Sequence, residues 1–171
     1  KSISIWKWIP VKNVWAFYAP NMTSSALATY AQSKGYDVLT TISPGDGLWV
    51  NARVPFTVDV STTNPVFASD FAEGQTLGLT SGWSLIAIGE SKTPREFANA
   101  ISPTPPSTSA TVSTTFTSLW AWDASSSSWL FYAPALDNAG TLSSFIASKS
   151  YVHFGTTGTV SLGKGFWVNK P

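Results

Sequence analysis

Aromatic side chains are the residues of this sequence whose types and spacing suggest a binding chemistry. Trp6 and Trp8 stand two residues apart, as do Trp120 and Trp122, so each pair lies on one face of a predicted β-strand. Exposed rings of this kind can stack on the apolar faces of pyranose sugars, while neutral Asn, Gln, Ser and Thr serve the hydroxyls. The predicted contact residues lie on or beside hairpin strands and are Trp8, Trp15, Tyr18, Trp122, Trp129 and Tyr132.

The same rings could instead fill a hydrophobic core, because Trp and Phe bury large apolar areas. In each hairpin the Trp and Phe side chains share one strand face and the Tyr takes the other, and the sequence leaves open which face packs and which binds. Core positions are predicted for five further aromatic residues, namely Trp49, Trp83, Trp167, Phe17 and Phe131.

Residues for catalysis are sparse, so the sequence predicts no enzyme, no catalytic residue, no metal site and no cofactor. His153 is the single histidine, Cys is absent, and no nucleophile elbow, phosphate loop or dinucleotide fingerprint occurs. A hydrolase would need two facing carboxylates about 5–10 Å apart. Calcium binding through Asp and backbone oxygens stays open, although no Asp-x-Asp-x-Asp run supports it.

Composition narrows the class of partner. Only 11% of the 171 residues are charged, about half the usual share, and the net charge is +1 without a basic run, so nucleic acid is not an expected partner. No apolar run approaches the roughly 20 residues that span a membrane. Low charge suits a neutral glycan, and abundant Ser and Thr are typical of secreted domains. The start at Lys1 predicts a mature or excised fragment.

An internal duplication organises the chain. The string "WAFYAP" begins at Trp15 and "WLFYAP" begins at Trp129, and the flanking Trp-x-Trp pairs share the same offset of 114. Further along, "GDGLWVN" and "GKGFWVN" match at an offset of 118. Such self-similarity indicates two repeats. We assign residues 1–75 to the first repeat, incomplete at its start, and residues 76–171 to the second, with a Pro/Ser/Thr-rich solvated loop at 102–118.

Local patterns predict the elements that position the aromatics. Alternation predicts strands at the Trp-x-Trp, "FYAP" and "GFWVN" segments, and also within "VPFTVDV" and "QTLGLTSGWSLIAIGE". A helix is predicted at "SSALATYAQSKG", with Ser24 or Ser25 as its cap and Gly35 after its end, and Thr93 with Glu96 forms a capping box. The predicted fold is mainly β with short helices. It consists of two pseudo-repeats of antiparallel strands, each with a packed helix, that form a sandwich or open barrel. The two repeats are expected to pack together as one compact unit. A pure β-sandwich is the alternative.

The segments "SGWSLIAIG", "LWAWDASSSSWLFYAP" and "GKGFWVN" together resemble a repeat unit of secreted bacterial surface proteins and polysaccharide-degrading enzymes. The resemblance covers residues 76–171 as a full unit, whereas residues 1–75 lack the Gly-Trp-x-Leu-Ile strand. It implies a secreted or cell-surface accessory module, with an attached glycoside hydrolase domain as a further partner. The leading hypothesis is non-catalytic binding of a neutral plant or microbial polysaccharide or oligosaccharide. The alternatives are a structural or adhesive repeat without a small ligand, and a hydrolase.

Overall fold

The computed structural model describes residues 2–57, 64–108, 110–155 and 158–171. Within these residues, strands in two sheets dominate and the helices are short. The strands are β1 (Ser2–Ile9), β2 (Val14–Tyr18), β3 (Asp37–Val38), β4 (Leu48–Ala52), β5 (Gly82–Ile86), β6 (Ser118–Asp123), β7 (Ser128–Tyr132), β8 (Val152–His153) and β9 (Phe166–Lys170). The α-helices are α1 (Ser24–Lys34), α2 (Pro94–Ala100), α3 (Pro134–Asn138) and α4 (Leu142–Lys149), and a 3-10 helix covers Ala68–Phe71.

The two sheets pair their strands in the same order. Sheet A runs β3-β2-β1-β4, and sheet B runs β8-β7-β6-β9 with β5 added beyond β9. In each sheet an antiparallel hairpin carries a short parallel strand on one side and an antiparallel strand on the other. The hairpin registers also correspond, since Trp8 pairs with Trp15 and Trp122 with Trp129. Among the described residues, only sheet B has a strand beyond this common set.

Helix ends follow the capping chemistry of the sequence, with one correction. Helix α2 begins with the predicted box: the Thr93 hydroxyl accepts from the Glu96 amide at 3.3 Å, and the Glu96 carboxylate accepts from the Thr93 amide at 2.8 Å. The pKa of the Glu96 carboxyl is lowered by the bond from the Thr93 amide and by a second one, at 2.9 Å, that the Thr93 hydroxyl donates to the carboxylate. Helix α1 ends at Gly35 in the left-handed conformation, as predicted. Its cap is Thr23 rather than Ser24 or Ser25, because the Thr23 hydroxyl reaches the third amide of the helix.

Two of the predicted strand regions are shorter than their patterns suggest. From "QTLGLTSGWSLIAIGE" only β5 forms, and the preceding residues 75–80 make turns and irregular backbone. In "VPFTVDV", residues 54–57 are not in a regular element, and residues 58–60 lie outside the described residues. Both results reflect glycine-rich or exposed stretches that have no neighbouring strand to pair with.

The main hydrophobic core packs on both faces of sheet B, since it includes Tyr132 on one side of β7 and Phe131 on the other. It contains Leu119 and Val168 from the strands, Phe97 from α2, and Val112 and Phe116 from the segment before β6. The predicted solvated loop at 102–118 is therefore only partly correct. The described residues up to 117 form no helix or strand, but Val112 is 3% exposed and Phe116 is 1% exposed. Apolar residues in its second half pack it against the sheet.

Sheet A has a smaller core, made by Phe17, Ala19 and Leu27. The two sheets are joined through their backbones as well as their side chains. The amide of Gly47, just before β4, donates to the carbonyl of Leu85 in β5 at 3.1 Å, and the Ala87 amide donates to the Gly45 carbonyl at 3.0 Å. Strand β5 is thereby held between β9 of its own sheet and the entry to β4 of the other.

Candidate functional site

The tryptophan side chains lie on the face of each sheet that is opposite the Tyr18 or Tyr132 side chain. The strand register places Trp6 opposite Trp49 and Trp120 opposite Trp167 on neighbouring strands. All nine tryptophans lie within the described residues and none is buried, with Trp49 at 37% and Trp83 at 39% exposure. The core prediction for Trp49, Trp83 and Trp167 is therefore wrong, whereas Phe17 and Phe131 are buried as predicted.

Each hairpin builds the same aromatic cluster. The rings of Trp6 and Trp15 meet edge to face at 6.2 Å and 86°, and those of Trp120 and Trp129 meet at 6.4 Å and 84°. The first Trp of each cluster is fixed by the same hydrogen bond, because the Trp6 indole donates to Ser4 and the Trp120 indole donates to Ser118, both at 3.0 Å. Both clusters thus present their rings in the same arrangement.

The last strand of each sheet contributes a tryptophan to the other sheet's hairpin. Trp49 of sheet A lies 6.0 Å from both Trp122 and Trp129 of sheet B. Trp167 of sheet B lies 5.8 Å from Trp8 and 5.6 Å from Trp15 of sheet A. The contact is reciprocal, like that of an isologous interface between two subunits. Tryptophan rings from both sheets therefore form one continuous aromatic layer.

Two clefts open in this layer. The first, named here the Trp120 cleft, has a volume of about 470 Å³ and is lined by Trp8, Asn13, Trp15, Trp83, Trp120, Trp129, Tyr151 and Trp167. The second, the Trp6 cleft, has a volume of about 490 Å³ and is lined by Ser4, Trp6, Trp15, Trp49, Asn51, Trp129 and Trp167. Both volumes fall within the roughly 300–1,000 Å³ of small-molecule sites. Neither lining contains a charged side chain from the part of the chain that the structure describes.

Hydrogen-bond donors in the clefts come mainly from indole N–H groups. Within the described residues, six indole nitrogens have no protein acceptor: Trp15, Trp49, Trp83, Trp122, Trp129 and Trp167. No buried side-chain nitrogen or oxygen in this part of the chain lacks a partner, so the half-buried indoles of this group expose their N–H to solvent. The clefts are therefore lined by tryptophan rings, several of whose indole N–H groups have no protein acceptor, and by the amide side chains of Asn13 and Asn51.

Three of the six predicted contact residues, Trp8, Trp15 and Trp129, line the Trp120 cleft together. Trp122 lies outside both clefts and faces a groove beside β4. Tyr18 is 38% exposed on the opposite face of sheet A. Tyr132 is 4% exposed, and its hydroxyl donates to Asp137 at 2.7 Å.

Tyr132 is thus a core residue, and its prediction as a contact residue is wrong. It points from the other face of the strand into the main core, where its ring lies 6.5 Å from Phe116. Burial, and then the hydrogen bond to Asp137, raises the pKa of its phenol, which stays protonated. Asp137 also accepts from Arg95 at 2.9 Å.

The sequence interpretation missed Trp83, Trp120 and Trp167 as members of the Trp120 cleft. Trp167 was assigned to the core because Trp buries a large apolar area. The missing signal was pairing: β9 lies beside the Trp-x-Trp strand, which places Trp167 opposite Trp120 and leaves Phe166 and Val168 for the core. Period-2 alternation then requires Trp167 to face the aromatic layer.

Acidic side chains and the histidine are engaged elsewhere. His153 is exposed, and its Nδ1 accepts from the Gly155 amide at 2.7 Å. Carboxylates that bond a backbone amide or a basic side chain are Asp37, Asp46, Asp70, Glu90, Glu96, Asp123 and Asp137. None of these carboxylates lines either cleft, and no group of three potential metal ligands occurs within the described ranges.

Comparisons with protein-family models, curated proteins and solved structures found no match to this chain. Among the described helices, none has the length and apolar character needed to cross a membrane. The geometry of the aromatic layer is therefore the main indication of function.

Proposed function

We propose that the chain is a non-catalytic carbohydrate-binding module that holds a neutral polysaccharide or oligosaccharide in the Trp120 cleft. One observation carries the proposal: an uncharged cleft walled by tryptophan faces also presents several indole N–H groups without a protein acceptor. Pyranose rings need this combination, since their C–H faces stack on aromatic rings and their hydroxyl oxygens accept hydrogen bonds.

Ring spacing supports more than one stacking contact. Trp83 and Trp15 lie 6.1 Å and 5.6 Å from Trp167, and Trp120 lies 6.4 Å from Trp129, so rings follow one another along the cleft. Each stacking contact contributes roughly 1–3 kcal/mol by analogy with bases stacked on aromatic side chains. The described lining residues are all uncharged, which suits a neutral ligand because none of these side chains is an ion that has to be desolvated.

We further propose that the chain is a duplicated unit in which residues 76–171 form the complete repeat. The common strand order, the matching hairpin registers and the repeated Trp–Ser hydrogen bond support this proposal. The two clefts would then be related sites. They share Trp15, Trp129 and Trp167 but differ in Trp83, which borders only the Trp120 cleft.

A structural or adhesive repeat without a small ligand is the second candidate. The reciprocal packing of Trp49 and Trp167 on the opposite hairpins favours it, because those contacts give the rings a role in holding the sheets together. For either candidate we propose a secreted or cell-surface location, and an attached glycoside hydrolase domain is a proposed partner of the binding module.

Affinity electrophoresis in gels containing β-glucan, xylan or mannan, with a pull-down on chitin, tests the binding proposal. Retardation in at least one gel, or retention on chitin, is expected. Trp83→Ala should weaken that binding about tenfold or more, because Trp83 is 39% exposed and borders only the Trp120 cleft. Phe67→Ala is the matched control, since this 46% exposed aromatic lines neither cleft.

The two candidates give opposite results in this experiment. Unretarded migration on every glycan, with a folded protein, would reject the binding module and favour the structural repeat. Equal weakening by Trp83→Ala and Phe67→Ala would place the binding site outside the Trp120 cleft.

A further inference from the structure

Strand β5 occupies a defined place between the two halves of the molecule. It pairs with β9 over five residues, from Gly82 opposite Lys170 to Ile86 opposite Phe166. From the other side, the Trp8 indole donates to the Trp83 carbonyl at 2.8 Å, and Gly45 and Gly47 exchange two backbone hydrogen bonds with the end of the strand. Residues of sheet A and of the segment before β4 thus form hydrogen bonds with a strand that belongs to sheet B.

The equivalent place beside sheet A holds no strand of the described residues. Strand β4, the counterpart of β9, is an edge strand. Trp122, the counterpart of Trp8, has an indole N–H without an acceptor there. The Gly165 amide and the Gly163 carbonyl, which match Gly47 and Gly45, also make no backbone hydrogen bond in this part of the chain.

These unpaired groups surround one groove, named here the β4 groove. Its volume is about 750 Å³, and it runs between Leu48–Ala52 on one side and Trp122, Asp123 and Lys164 on the other. A β-strand of five residues is roughly 16 Å long, which is the length of the β4 edge. Beyond the Leu48 end of β4, where Gly165 lies against the backbone, the groove therefore offers a strand the ladder partner and the indole donor that β5 has on the opposite side.

The face of sheet A that carries Tyr18, named here its outer face, also lacks a cover that sheet B has. In sheet B, Leu119, Tyr132 and Val168 are at most 4% exposed because α2 and the segment before β6 cover them. Their counterparts in sheet A lack such a cover: Tyr18 is 38% and Val50 is 40% exposed. The missing cover and the missing strand correspond to one continuous segment, residues 82–117.

We propose that the β4 groove and this outer face form a docking site for a strand-and-helix segment of the same type as residues 82–117, supplied by another repeat unit. Its strand adds to β4 antiparallel, its Leu85-equivalent lies opposite Trp49, and the carbonyl of its Trp83-equivalent accepts from the Trp122 indole. Strand addition to a free sheet edge is a common mode of recognition. The inference depends on the duplicated-unit proposal and is independent of sugar binding.

A fusion tests the proposal on the full chain. In sheet B the segment runs directly into Ser118, whose counterpart is Ser4, so a second copy of residues 82–117 is placed immediately before Ser4 in place of residues 1–3. Docking should slow amide exchange along β4, move the Trp122 indole resonance and raise Tm by roughly 5 °C or more. The control fusion carries Ser84→Pro and Leu85→Pro in the added copy, which removes ladder donors.

Equal β4 exchange rates in the fusion, the control fusion and the parent chain would overturn the proposal. Near-UV circular dichroism checks that each fusion keeps the parent fold. Glycan retardation is measured on the same proteins, and its loss or retention decides the binding proposal separately.

Discussion

The rings of Trp49 and Trp129 stack across the two sheets, with centroids 6.0 Å apart and planes inclined by 30°. The reciprocal contact joins Trp167 and Trp15 at 5.6 Å, but there the rings meet edge to face at 86°. The same residue types in corresponding positions thus make two different ring geometries. Trp83 of β5 borders Trp167, whereas no strand of the described residues takes the corresponding place beside Trp49.

This contact should be measurable as a coupling free energy. A double-mutant cycle of Trp49→Ala and Trp129→Ala should give a coupling of about 0.5–1.5 kcal/mol in urea unfolding, the usual contribution of an aromatic pair beyond its buried area. The cycle of Trp49→Ala with Trp83→Ala is the control, because these rings have no contact with each other. Additive changes in both cycles would contradict a stabilising contact between the sheets.

The two equivalent tyrosines should respond differently to loss of the hydroxyl. Tyr132→Phe removes a buried hydrogen bond to Asp137 and should lower the free energy of unfolding by about 1.5–3 kcal/mol, the range for bonds to charged groups. Tyr18→Phe should change it by less than about 0.5 kcal/mol, because Tyr18 is exposed. Equal effects of the two changes would show that the Asp137 bond does not contribute.

The backbone conformation after α1 and α4 suggests that a glycine at Ser150 would stabilise the protein. Gly35 and Ser150 both follow their helices in the left-handed region, with φ of 71° and 57°. Serine is strained there and glycine is not, so Ser150→Gly should raise the free energy of unfolding by about 1 kcal/mol. Gly35→Ser should lower it by a similar amount. Thermal unfolding measures both, and a loss of stability in Ser150→Gly would contradict the expectation.

The segment before β6 should tolerate change in its first half only. Phe116→Ala should cost about 3–5 kcal/mol, because Phe116 is 1% exposed in the main core. Deletion of residues 104–108, which include no buried residue, should cost less than about 1 kcal/mol. Urea unfolding of the two variants compares them directly. A large loss of stability after the deletion would show that this part also packs.

Asp123 should titrate at an unusually low pH. Its carboxylate accepts from the Ser125 and Ser126 hydroxyls and the Ser125 amide, which lowers its pKa to about 2. Because the folded pKa is the lower one, this contribution to stability is present above about pH 4 and is lost as the pH falls through about 2. NMR titration should show the pKa rising in Ser125→Ala, the largest contributor, and staying unchanged in Ser144→Ala.

The sequence predicted elements well where local chemistry determines them. The capping box at Thr93 and the glycine end of α1 depend on neighbouring residues alone, and both were confirmed. Phe17 and Phe131 were assigned to the core because Phe buries a large apolar area, and both are buried.

The side of the sheet on which a side chain lies was harder to predict where it depends on pairing with a distant strand. The assignment of Trp167 to the core failed because β9 pairs with β6, about 50 residues earlier in the chain, and only that pairing turns its ring to the aromatic layer. The burial of Phe116 likewise depends on contacts with Phe97 and Tyr132 that a Ser- and Thr-rich sequence does not reveal. The exchange of tryptophans between sheets depends on their relative placement, which no local pattern encodes.

The position of β9 also determines the order in which the protein can assemble. Although it is the last strand in sequence, it lies between β5 and β6. Sheet A has all of its strands once residue 52 has been synthesised, whereas sheet B stays divided until residues 166–170 arrive. Because such distant pairing closes slowly, β5 and its apolar helix must wait on the ribosome or in solution with their core face uncovered. We therefore expect the pairing of residues 166–170 to be the slowest folding step and to end the period of greatest exposure to aggregation.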